Sequence, residues 1–158
     1  MSLSARPVTA KNWRELAKLK VHDDQAHFVA SNVYSIAEAQ FGDDEPDGSH
    51  WDMYPHGIYD GDTPVGFFMY GYNFSYPKFQ AYIIRLMVDE NHQAKGYGYF
   101  GMKTMLEIFQ ADPRIHAVGI SYEPNNELAR KLYERIGFVE TGEMLDGEVL
   151  AVYKIHRG

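Results

Sequence analysis

The chain contains no cysteine. That excludes disulfides, thiolate-held metals and a cysteine nucleophile, and it makes a reducing, cytoplasmic setting the expectation. No apolar run approaches the ~20 residues of a membrane span, and the first residues lack the basic-then-apolar pattern of an export signal, so no membrane partner is expected. Positive charge is scarce too, with 15 Lys and Arg against 22 Asp and Glu and a formal net charge of −7. Phosphodiester backbones are gripped by basic surfaces, so nucleic acid is not expected as a partner. An acidic surface draws cations instead. The histidines stand at 22, 27, 50, 56, 92, 116 and 156, without H-x3-H or HExxH spacing, and no metal site is expected. There is no internal repeat and no low-complexity tract.

What is present is core-forming material. With 158 residues, 45% of them apolar and 15% aromatic, the chain is read as one packed domain over 1–158. Residues 4–9 read as an edge strand, where Pro7 is tolerated, and Asn12 as the cap of a helix carrying Leu16 and Leu19. A second helix is expected from His27 to Phe41, with Phe28, Val29, Val33, Ile36, Ala37 and Phe41 as its apolar face. Residues 42–50 read as an acidic loop. Strands follow at 56–59, 64–72 and 79–88, the first two joined by a hairpin turn at Asp60-Gly61-Asp62. A helix over 96–109, a strand over 117–121 and a helix over 125–136 come next, the last stopped by Gly137. Strands 139–141 and 149–155 close the chain around Asp146-Gly147. The order β-α-α-β-β-β-α-β-α-β-β gives an α/β (mixed α+β) fold, in which 79–121 forms one parallel βαβ unit.

The most informative segment runs from Leu86 to Gly101. A strand ends, a turn follows, and Gly96 and Gly98 open a helix whose bare N–H groups suit phosphate oxygens. Gly96-x-Gly98-x-x-Gly101 matches the dinucleotide fingerprint literally, and Glu123 falls where a ribose-binding acid would sit. The roughly 55 residues beyond the motif read as strand, helix and hairpin rather than repeated βα units, so the dinucleotide reading fails. Taken as Gln93-x-x-Gly96-x-Gly98, the loop resembles the pyrophosphate-binding motif of the GNAT acetyltransferases. Asn125-Asn126-Glu127-Leu128-Ala129-Arg130-Lys131-Leu132-Tyr133 through Gly137-Phe138 resembles that family's second signature, in the correct order and spacing. Ala94 departs from the pattern, since many members carry glycine there; backbone N–H groups do not depend on that side chain, and little cost is expected.

The resemblance implies a mixed sheet of about seven strands flanked by about four helices, with acetyl-CoA as co-substrate and an amine as acceptor. Its cofactor arm would pair with backbone at Leu86, Met87 and Val88. Its pyrophosphate would sit on Gln93, Ala94, Lys95, Gly96, Tyr97 and Gly98. Asn125 or Asn126 would contact the arm or cap the helix, and Arg130 would reach a phosphate or lie on a solvated face. Tyr133 matches the family tyrosine that protonates the departing thiolate, although its spacing with Ala129 and Ile136 equally describes core packing. The strand from Tyr82 to Val88 contains no acid, Asp89 and Glu90 are expected on the loop surface, and no general base is assigned.

Asn32-Val33-Tyr34-Ser35-Ile36-Ala37-Glu38-Ala39 resembles the acceptor-side helix of bacterial spermine/spermidine (diamine) N-acetyltransferases. A polyamine is a string of cations, so carboxylates with aromatic walls are expected around it, and Tyr34 with Glu38 is the expected pair. Asp43-Asp44-Glu45 would steer cations or simply be solvated. An aminoglycoside, an amino acid or a protein N-terminus as acceptor would change only residues 20–85. A non-catalytic acyl-CoA-binding module is the alternative from another class. Dimers are common in the family, and the aromatic strands leave a homodimer and a monomer both open.

Overall fold

A computed structural model describes residues 2–157. The strands are β1 (Leu3–Pro7), β2 (Asp43–Asp44), β3 (His50–Asp60), β4 (Thr63–Tyr72), β5 (Ala81–Val88), β6 (Ala117–Tyr122), β7 (Val139–Leu145) and β8 (Glu148–Lys154). The helices are α1 (Trp13–Ala17), α2 (Asn32–Ala39), α3 (Tyr97–Gln110) and α4 (Glu127–Ile136), with a 3₁₀ turn over Asp23–Phe28. The main sheet runs β1-β3-β4-β5-β6-β8-β7, with β2 hung on β3. Among the described residues only β5 and β6 pair in parallel, as the βαβ reading requires.

Period-two alternation places helices on both faces of this sheet. On β4, Phe68 and Tyr70 join Met102, Met105 and Phe109 of α3 in the larger core. Phe67 and Met69 point the other way, to Leu16 of α1. Gly101 lets α3 lie this close, because a Cβ there would meet Ile58 Cδ1 and Leu86 Cδ1 at 2.9 Å each. The third glycine of the apparent dinucleotide fingerprint is therefore a packing residue.

The expected 27–41 helix is not one helix. Val29 is extended (φ −136°, ψ 146°), and Ser31 starts α2 afresh by accepting a hydrogen bond from Tyr34 N–H at 3.1 Å, as an N-cap serine does. The restart turns the helix about its axis. Val33 and Phe41 become 57% and 82% exposed, while Asn32 and Ser35 are buried, with Asn32 Nδ2 donating to the Leu16 carbonyl at 2.9 Å. The expected loop at 42–50 contains β2, and β3 begins six residues earlier than expected, since Trp51 is buried. Pro55 is accommodated within β3 because its carbonyl accepts from Val8 N–H at 3.0 Å, just beyond the end of β1. Its missing N–H falls on the same side, beyond the last ladder pair Pro7↔His56, where no ladder bond is lost. The hairpin turns at Gly61 and Asp146-Gly147 form as expected, all three residues having positive φ.

Candidate functional site

The sheet opens between β5 and β6. The two strands pair only at Ala81↔Val118, Tyr82↔Gly119 and Ile83↔Ile120. A bulge follows at once: Met69 faces Arg85 and Tyr70 faces Ile83, which leaves Ile84 unopposed. Both Ile84 and Arg85 therefore turn to the α1–α2 side, and β5 bends away from β6. The β6-facing edge of β5 beyond Ile83 has no strand partner. A cavity of about 740 Å³ fills the gap, and Leu86, Met87 and Val88 line it.

The floor of the cavity's entrance is the turn into α3. Gly96 occupies the N-cap with φ 83°, and no side chain caps the helix. The first-turn N–H groups thus stay available for an anion, in the field of the helix dipole. Gln93, Ala94, Gly96, Tyr97 and Gly98 all border the cavity. Two of them are also structural: Gln93 Nε2 bridges the Val88 carbonyl (3.0 Å) and Gln25 Oε1 (2.9 Å), and Tyr97 Oη donates to Asp60 Oδ2 at 2.7 Å. Lys95 is not among the bordering residues. Asp89 lies inside rather than on the loop surface, 7% exposed. Its carboxylate accepts from Lys20 N–H (3.1 Å) and Asn91 N–H (3.2 Å), tying the turn to the chain after α1.

Ala94 has φ 62°, a left-handed conformation that costs an L-residue about 1–2 kcal/mol. The departure from glycine is therefore not free. Ala94→Gly is expected to raise stability by up to about 1 kcal/mol after the added freedom of the unfolded chain is set against the relief. In a thermal melt that is a rise of roughly 2–4 °C; a lower melting temperature would refute the strain.

On the opposite wall, α4 begins at Asn126, whose Oδ1 accepts from Ala129 N–H at 3.3 Å. It ends at Gly137, whose N–H reaches the Tyr133 and Glu134 carbonyls. Tyr133 projects from this helix into the cavity, packed on Tyr122 (5.4 Å between ring centres) and Phe138 (6.1 Å). Burial raises its phenol well above the ordinary tyrosine value, with Tyr122 and Glu148 adding to the shift. The group is a held neutral donor. Asn126 borders the cavity, whereas Asn125 and Arg130 do not. Arg130 is closed into a network with Glu127 (2.9 Å), Glu140 (3.1 Å) and the Pro124 carbonyl (3.2 Å).

The α2 pair lies elsewhere. Tyr34 is 60% exposed, and neither it nor Glu38 borders the cavity. Glu38 is held by Arg85 at 3.2 Å, and Arg85 is the member of that ion pair that reaches the cavity wall. Sequence reasoning missed Tyr82, Ser121, Tyr122 and Glu148, which border the cavity together with Tyr133. Tyr82, the one aromatic residue of β5, and the Asp146-Gly147 turn just before Glu148 were the signals on offer, but only the sheet order brings these residues together.

A splayed parallel strand pair, an uncapped glycine turn at one end and a half-buried phenol at the other make a cleft that suits a pyrophosphate-bearing co-substrate. Comparison with known proteins names the class more narrowly. The model of the acetyltransferase (GNAT) family matches residues 13–138, and the chain belongs to that family. It is similar to a spermine/spermidine N(1)-acetyltransferase of Bacillus subtilis, with 27% identity across 98% of this chain and 100% of the relative. The fold is shared with a spermidine N-acetyltransferase from Vibrio cholerae solved with CoA and spermine (TM-score 0.69, 15% identity, 96% and 93% of the two chains). It is shared equally with an aminoglycoside acetyltransferase solved with coenzyme A (TM-score 0.71, 14% identity, 97% and 95%).

Proposed function

We propose that the protein, working as one domain, transfers the acetyl group of acetyl-CoA to a primary amine of a polyamine such as spermine or spermidine. The residues fit the co-substrate: an uncapped helix N-terminus for its pyrophosphate, and an unpaired strand edge for its amide-rich arm. When bound there it supplies an activated acyl group. The chain's own part is to hold the amine, take up its protons and give one to the departing sulfur. Tyr133 serves as that donor, because burial keeps its phenol protonated and aimed into the cavity. A hydrogen bond to a developing thiolate in a dry site is stronger than one in water.

The observation that carries the polyamine reading is the character of the wall beside Tyr133. Glu148 is the one carboxylate bordering the cavity among the described residues, and Tyr82, Tyr122 and Phe28 surround the same space. A carboxylate with aromatic faces is the chemistry that receives an alkylammonium. The full-length similarity to the Bacillus enzyme supports the same choice. Glu38 serves it less directly, since Arg85 already neutralises its carboxylate. In this reading Glu38 and Tyr34 meet the far end of a long polyamine outside the cavity.

The test is CoA thiol release from acetyl-CoA across spermine, spermidine, putrescine, an aminoglycoside, amino acids and a peptide with a free N-terminus. Selective turnover of spermine or spermidine is expected. Selective turnover of another amine would overturn the polyamine assignment and leave acetyl transfer standing. No turnover, with acetyl-CoA still bound in calorimetry, would overturn transfer to these amines altogether.

A further inference from the structure

An ammonium group must lose a proton before it can attack a thioester, and β5 supplies no acid to take it. Next to Tyr133, a line of three side chains crosses the sheet. Tyr82 Oη on β5 is hydrogen-bonded to Ser121 Oγ on β6. Ser121 Oγ in turn donates to Glu148 Oε1 on β8 at 2.8 Å. Sheet pairing fixes this line: Ser121 faces Leu150 and Tyr122 faces Val149, which puts Glu148 just beyond the end of β6. The Tyr82 ring is held by Phe79 (stacked, 5.5 Å) and Trp51 (edge-on, 6.2 Å).

Counting protons gives the line a direction. A serine hydroxyl has one proton, and here the ionised carboxylate takes it. Ser121 can then only accept from Tyr82, so Tyr82 spends its own proton on Ser121. The remaining lone pairs of Tyr82 Oη are left for a donor in the cavity. Every O–H of this line thus points toward Glu148, and its open end is an acceptor oxygen on Tyr82, a residue that borders the cavity.

We infer that Glu148 takes the proton that the acceptor ammonium loses, and that Tyr82 and Ser121 carry it there. The inference rests on acetyl transfer to an amine and not on the choice of polyamine. The transfer balances. The ammonium N–H goes to Tyr82 Oη, the Tyr82 proton moves to Ser121 Oγ, and the Ser121 proton moves to Glu148 Oε1, leaving a neutral amine and a carboxylic acid. The amine's N–C bond to the acyl carbon then forms and the C–S bond breaks. A second proton from the same nitrogen replaces the one Tyr133 gives to sulfur. Glu148 returns its proton to water, so each turnover releases one proton. Tyr82 is pushed up to about 12, chiefly by burial; it passes protons without itself being the base. Arg85 from β5 and Asp146 from the β7–β8 turn also act on Tyr82, and Tyr133 of α4 feels both Tyr82 and Glu148.

The test uses whichever amine the panel shows to be a substrate, so failure of the polyamine assignment does not affect it. Glu148→Gln, Ser121→Ala and Tyr82→Phe each interrupt the line at a different atom. Glu148→Gln is expected to lower kcat about 100-fold near neutral pH, the lower end of general-base effects. Ser121→Ala and Tyr82→Phe are expected to lower it about 10-fold or more, with acetyl-CoA affinity by calorimetry unchanged in all three. The deficit should shrink as pH rises toward the amine's own pKa (near 10.4 for a lysine-like amine), because free neutral amine then makes a base unnecessary. A loss independent of pH, or one confined to KM, would overturn the inference by reducing Glu148 to a packing or binding group. Full kcat in Ser121→Ala and Tyr82→Phe would overturn the carrying role even if Glu148→Gln were inactive or failed to fold.

Discussion

Tyr133→Phe is expected to lower kcat about 100-fold while leaving acetyl-CoA affinity within a few-fold. General acid assistance is worth about 100- to 10,000-fold, and 100-fold corresponds to roughly 2.7 kcal/mol of transition-state stabilisation. The substitution removes one oxygen and nothing else. The ring keeps its contacts with Tyr122 and Phe138, so α4 has no reason to shift and the glycine turn across the cavity is untouched. Because burial holds the phenol above its ordinary value, the wild-type rate should show no alkaline fall from Tyr133 loss of a proton at ordinary assay pH. Steady-state kinetics with calorimetry on the same samples decide the matter. Equal kcat in the two proteins would make Tyr133 the packing aromatic that its spacing with Ala129 and Ile136 also describes.

The half of the cleft proposed for the cofactor was legible in the sequence because its information is local. The turn into α3 needs a residue at positive φ followed by open backbone, and Gly96 and Gly98 announce both within three positions. The α4 signature likewise encloses its own cap at Asn126, its phenol at Tyr133 and its stop at Gly137 in one continuous stretch. Local grammar of this kind survives without any knowledge of what packs against it. Ala94 shows the limit of the reading. Its N–H is indeed independent of its side chain, but its φ of 62° is a property of the folded turn.

The half proposed for the acceptor was less legible, for a different reason. Tyr82, Ser121 and Glu148 are separated by dozens of residues, and they meet because β6 lies between β5 and β8 in the sheet. Nothing in a strand's own pattern states which strand will be its neighbour. The helix expected over 27–41 failed on phase and length: after the break at Val29 and the new start at Ser31, Val33 turns outward and Phe41 falls beyond the end of α2, while Ile36 alone of the three still packs against the Leu16 cluster. The pair placed at Tyr34 and Glu38 inherits the shift. Glu38 then pairs with Arg85, whose direction is set by the bulge at Ile84, a feature of strand register rather than of composition.

The glycine turn permits a test that separates ligand binding from folding. A Cβ placed on Gly98 would stand 3.8 Å from Val88 Cγ2 and 4.0 Å from Leu132 Cδ2, ordinary contact distances that strain nothing. A longer side chain must extend beyond them, into the gap between the end of β5 and α4 proposed for the co-substrate's arm. Gly98→Leu is therefore expected to weaken acetyl-CoA binding about 100-fold or more, by filling space and by screening the first-turn N–H groups from the pyrophosphate. Stability should change little, since leucine is among the better helix formers and glycine among the poorer. Gly98→Ala is the matched control: it adds the harmless Cβ and no more, and its loss of affinity should be several-fold at most. Calorimetry for affinity and a thermal melt for stability read the two effects apart. Unchanged affinity in Gly98→Leu would move the co-substrate away from the α3 turn, and a collapse of the melt in Gly98→Ala would show that the glycine serves packing rather than access.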